Sequence, residues 1–134
     1  MINSYLESQV LSADPMQLIE ILYRAALDSV DSARMHLQAG DIALRTRSIT
    51  KAIEILTELA ISLDVEKGGD IARNLSELYD YCARLLLAAN AAQIDPPLAE
   101  VKKLLSTLLE GWQACMPSRF DETEISSNSL CTSF

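Results

Sequence analysis

Histidine occurs once in this chain, at His36, and cysteine three times, at Cys82, Cys115 and Cys131. These are the side chains that metal or nucleophile chemistry would use. A di-metal carboxylate site inside a helical bundle needs Glu-x-x-His turns, and no Glu stands three residues before His36. Structural zinc needs clustered Cys and His, and the three cysteines are scattered without a CxxC pair. No G-x-S-x-G turn presents a serine nucleophile, and neither GxGxxG nor GxxxxGK[ST] occurs to cradle a phosphate. His36 reads as a surface residue near a helix C-terminus, an end where a cation suits the helix dipole. No catalytic residue, cofactor or metal ligand is therefore assigned, and the chain is read as a non-enzyme.

Charge narrows the classes further. With 11 Lys and Arg against 19 Asp and Glu, the 134-residue chain carries a formal charge of −8. Such a surface repels nucleic-acid phosphates and anionic membranes alike. The longest uncharged internal stretch, residues 85–94, is ten residues, about half of what a membrane span needs. No Lys or Arg precedes Arg24, so the basic start of a secretory signal is missing. An odd cysteine count at wide spacing fits a reducing compartment, and the expected location is the cytoplasm. Arg45, Arg47 and Lys51 form a small basic cluster, read as a solvated face rather than a binding patch. Glu20–Arg24 and Asp80–Arg84 are favourable i,i+4 pairs.

The elements that hold these residues are marked by Gly and Pro. Asp14-Pro15-Met16-Gln17 opens a helix with a capping box and should end on Gly40. Asp41 starts a second helix to about Leu63, and the Lys67-Gly68-Gly69 break follows. Asp70 should cap a third helix to about Ala91, and Asp95-Pro96-Pro97 a fourth to about Cys115. Short connections make successive helices antiparallel neighbours, so the expected fold is an all-α, up-down-up-down four-helix bundle. The third helix offers the seam Ile71, Leu75, Leu78, Cys82, Leu85, Ala89, and the fourth Leu98, Val101, Leu105, Leu108, Trp112, Cys115. Residues 1–116 make one domain, in which 1–13 form a short amphipathic segment (Ile2, Tyr5, Leu6, Val10). Residues 117–134 are Ser-rich and expected to be a disordered tail.

Apolar residues exceed what one core takes. The first helix is apolar round most of its circumference near Leu18, Ile21 and Leu22. Beside its seam the third helix adds Ala72, Tyr79, Tyr81, Leu86, Leu87 and Ala88, and the second adds Ile55. Two readings stand: a bulky core with the N-terminal segment packed over one groove, or a groove that takes a partner's amphipathic helices.

The order of motifs along the chain resembles the flagellin-specific export chaperones of bacterial flagella, the FliS family. It is carried by Tyr5, by Ser12-Ala13-Asp14-Pro15 with Leu18, Leu22-Tyr23 and Ala26, and by Gly40-Asp41 and Lys51-Ala52. Leu63-Asp64, Glu66-Lys67-Gly68-Gly69 and Ile71-Ala72 follow, then the dense block Asn74-Leu75-Ser76-Glu77-Leu78-Tyr79-Asp80-Tyr81. Ala89-Asn90, Glu100-Val101 and Gly111-Trp112 complete it. The short N-terminus and the Ser-rich tail depart from the pattern.

The resemblance implies a cytoplasmic chaperone without catalysis or cofactor. It would bind the C-terminal helical segment of flagellin in apolar grooves, prevent early polymerisation and deliver the client to the flagellar type III export gate. Tyr5 is implied as a covering residue in the free protein, and Leu18, Ile21, Leu22, Asn74, Leu78 and Tyr81 as groove candidates. The Asn74 amide could fix the register of a bound helix or be merely solvated. A homodimer of the client-free chain stays open. The competing reading is a self-assembling structural bundle that buries the same apolar surface against itself.

Overall fold

The computed structural model describes residues 14–115 and 133–134; the N-terminal segment with Tyr5, and residues 116–132, lie outside the described residues. Asp14 opens helix α1 (Pro15–Ala39) with its carboxylate accepting from the Gln17 amide at 2.8 Å. Gln17 Oε1 in turn accepts from the Asp14 amide at 3.4 Å. Gly40 ends α1 in the left-handed region at φ 73°. Helix α2 (Ile42–Ile61) starts on Asp41, whose carboxylate accepts from the Leu44 amide at 3.0 Å. It stops two residues before the expected Leu63, where the Ser62 hydroxyl bonds back to the Glu58 carbonyl at 2.9 Å.

Two caps differ from expectation. Helix α3 (Val65–Ala92) begins on Asp64, which accepts from the Lys67 amide at 3.0 Å, rather than on Asp70. The Gly-Gly pair is thus a kink inside the helix: Gly69 sits at φ 56°, ψ −130°, a conformation open to glycine. Asp70 is left exposed and pairs with Arg73. Helix α4 (Pro96–Ala114) follows Asp95 without a side-chain cap. The Asp95 carboxylate instead takes a bidentate fork from Arg34, Nε at 2.8 Å and Nη2 at 3.0 Å, tying the α3–α4 turn to α1. That contact raises the Arg34 pKa.

The helices form an antiparallel ring in which α1 and α3 each pack on α2 and α4. No strand occurs among the described residues. Across the diagonal, Tyr23 of α1 and Tyr79 of α3 share a buried hydroxyl–hydroxyl bond of 2.7 Å. Burial lifts the Tyr23 phenol to about 12 and the neighbouring Cys82 thiol to about 11. It raises Tyr79 as well.

The Tyr23–Tyr79 bond accounts for a second correction. The seam of α3 is Ala72, Leu75, Tyr79, Cys82, Leu86 and Ala89, all buried, while Ile71, Leu78 and Leu85 stand half-buried at its flank. Three residues read as surplus are therefore core, as is Ile55 of α2. In α4, Leu109 is buried and Leu108 half-buried; the rest of the expected seam is buried. Arg45, read as part of a solvated face, is only 4% exposed. Its Nε donates to Asn90 Oδ1 at 2.8 Å and its Nη2 reaches the Asn90 carbonyl at 3.4 Å. Ser133 and Phe134, assigned from sequence to the tail, pack against the body of the bundle.

Candidate partner-binding surfaces

Helix geometry sorts the groove candidates onto two faces. On α1, Glu20, Asp31 and Arg34 look toward α4: Gln113 donates to Glu20 at 3.5 Å, Lys102 pairs with Asp31 at 2.9 Å, and Arg34 holds Asp95. At about 100° per residue, Leu18 lies about 160° round the helix from Glu20, on the α2 side. Leu18 and Ile21 are half-buried there. Leu22 turns inward at 3% exposure and belongs to the core, so a partner would meet its neighbours rather than Leu22 itself.

On α3 the candidates make a coherent stripe. Asn74, Leu78 and Tyr81 follow each other at four and three residues, with half-buried Ile71 and Leu85 extending the line. Asn74 is exposed and Leu78 half-buried. Tyr81, 37% exposed, donates its hydroxyl to Glu100 Oε2 of α4 at 2.6 Å, which fixes the stripe on the α4 side. The same bond to the carboxylate raises the Tyr81 pKa. Because α1 and α3 stand on opposite corners of the ring, the stripe and the Leu18–Ile21 pair occupy different faces. Tyr5 lies outside the described residues.

Of the exposed apolar residues at the bundle ends, sequence reasoning singled out only Leu87. Met35, Ile42, Leu44, Leu87 and Ile94 are exposed and belong to the end where α1 and α3 finish. Ile61 and Val65 are exposed at the other, beside the α2–α3 turn. For Met35, Ile61 and Leu87 the signal was present: each falls out of phase with the buried stripe of its own helix. Among the described residues, no group of three His, Cys, Asp or Glu side chains stands close enough to hold a metal ion. Among the same residues, no helix is long and apolar enough to cross a membrane.

An all-α four-helix bundle with apolar side chains half-exposed on separate faces is the class of protein that the structure defines. The comparisons with known proteins give that class its family. A family model described as flagellar protein FliS matches residues 1–119. The chain is 46% identical over 112 residues to the flagellar secretion chaperone FliS of Salmonella typhimurium, covering 83% of each protein. The flagellar secretion chaperone FliSB of Pseudomonas aeruginosa is 36% identical, over 80% of this chain and 85% of that protein. FliS of Escherichia coli is 32% identical, over 84% and 83%. The chain belongs to the FliS family of flagellar secretion chaperones, which is a chaperone family and not an enzyme family.

Proposed function

We propose that this protein is a cytoplasmic chaperone for flagellin, holding the client's C-terminal segment as helices against the two apolar faces. Family membership is the observation that carries the reading; the split of the groove candidates between opposite corners of the bundle supports it. A client laid along one groove would need one face, whereas a client wrapped round the molecule uses both. Held so, the client segment is withheld from polymerisation and delivered to the flagellar type III export gate. In the free protein, residues 1–13 with Tyr5 cover part of the surface.

The test is the mass of the species formed when the purified chain is mixed with a C-terminal flagellin fragment. A one-to-one complex is expected. The chain measured alone reads out whether a client-free homodimer forms. Oligomers of the chain alone, unchanged by the fragment, would favour the self-assembling bundle instead.

A further inference from the structure

The seat of Ser133 and Phe134 has the features of a peptide-binding site. Ser133 is fully buried, and its carbonyl accepts from the Asp64 amide at 2.8 Å. That amide is available for a local reason. In α1 the corresponding N–H of Asp14 is satisfied by Gln17, whereas in α3 the same position is Lys67, which has no acceptor. Gly68 leaves room for the incoming backbone: a Cβ there would stand 2.8 Å from Ser133 Cα. The Phe134 ring then meets Trp112 edge-on, with centroids 5.5 Å apart. Trp112 is also tied to the start of α1, its Nε1 donating to the Met16 carbonyl at 3.2 Å.

One detail makes the fit imperfect. Ser133 Oγ is buried and has no hydrogen-bond partner among the described residues. A seat lined by Gly68 and Ala72 suits a small apolar residue better than a hydroxyl, so docking carries a desolvation cost. The unpartnered hydroxyl subtracts from what the backbone hydrogen bond and the Phe134 ring contribute.

We infer that Ser133-Phe134 is a built-in ligand of a small-residue-plus-aromatic site at the α2–α3 turn, and that it competes there with the client. The site lies at the end of the bundle where α1 begins, and Trp112 links it to Met16. The competing part rests on the proposed flagellin reading; the docking part does not. A client segment presenting a small residue followed by an aromatic would displace the dipeptide by taking the Asp64 amide and the Trp112 edge.

Two readouts on the full chain separate the parts. Trp112 is the sole tryptophan, so its emission reports the seat without any client. Phe134→Ala and Gly68→Ala should both shift that emission, the first by removing the ring with helical content unchanged, the second by closing the notch, where the added Cβ would also stand 2.9 Å from Ala72 Cβ and displace the first turn of α3. Titration with the flagellin C-terminal fragment should then show both variants binding at least about threefold tighter than the parent, because a larger fraction is open to the client. Ser133→Ala should act oppositely, weakening client binding by relieving the buried hydroxyl. Unchanged emission in Phe134→Ala would show that the dipeptide is not docked in solution. Shifted emission with unchanged fragment affinity, or a Ser133→Ala variant that binds tighter, would overturn the competition. Failure of parent and variants alike to bind the fragment would remove the flagellin reading and the competition together, while the emission still decides the docking.

Discussion

Tyr23 and Tyr79 place two phenols in an apolar interior, and each hydroxyl is satisfied by the other. Removing one strands its partner, whereas removing both leaves only carbon. Tyr79→Phe is therefore expected to cost about 1–3 kcal/mol, and the double Tyr23→Phe/Tyr79→Phe change less than the sum of the single ones. Urea denaturation of the set measures this, and strict additivity would contradict it. The same burial sets an alkaline limit. Cys82 is held at about 11 against an ordinary 9.0, and Tyr23 at about 12 against 10.0. The folded chain keeps these protons where the unfolded chain has lost them. Their contribution is thus complete below pH 9.0 and fades as pH rises through 11 for Cys82 and through 12 for Tyr23. Denaturation midpoints that stay level from about pH 8 to about pH 12 would exclude that linkage. At this scale the sequence was least legible. Arg45 read as a surface cation because the Asn90 amide that receives it lies 45 positions away. Tyr79 read as surplus because nothing local shows that Tyr23 supplies its partner. Leu22 came to the groove set from the family resemblance, and spacing along α1 does not reveal that it turns inward.

Elements were more legible where their signals are local. The capping box on Asp14 and the left-handed Gly40 lie within four residues of the ends they define, and α1 falls where its sequence places it. The Gly-Gly break is real, since Gly69 leaves the helical conformation just before Asp70; what the sequence reading missed is the short helical turn before it, capped by Asp64. Asp64→Ala should therefore cost about 0.5–2 kcal/mol, the worth of a helix cap. Asp70→Ala should change stability by no more than about 0.5 kcal/mol, since it loses only an exposed ion pair with Arg73. Thermal or urea unfolding of the two variants decides between the starts, and a larger loss for Asp70→Ala would restore the sequence-based boundary. The phase of α3 carries a binding prediction too. Tyr81 stands off the buried seam and touches only Glu100 by hydrogen bond, so Tyr81→Ala should leave the fold nearly unchanged. If the stripe is a client face, the variant should weaken binding of the flagellin fragment about tenfold or more, as an interface anchor does. Unaltered affinity would move the contact off the α4 side of α3.

At the scale of the whole molecule, the proposed function asks for association through carbon rather than charge. The four-helix ring followed from caps, short turns and heptad spacing, all of them near-neighbour signals. The assignment of each apolar residue to core or surface depended on contacts across the ring, which spacing alone does not contain. The net charge of −8 is carried on a molecule whose candidate contacts are mainly Leu, Ile and Tyr. Under the proposed function, docking of a client segment that orders on binding would draw its free energy from apolar burial, on the order of 1,000–3,000 Å². Titration calorimetry of the full chain with the flagellin C-terminal fragment, over several temperatures and at two salt concentrations, tests this most directly. One site per chain is predicted, with a clearly negative heat-capacity change and an affinity that barely responds to salt. A heat-capacity change near zero with steep salt dependence would contradict an apolar chaperone surface, and the absence of binding heat at every temperature would contradict the flagellin client itself.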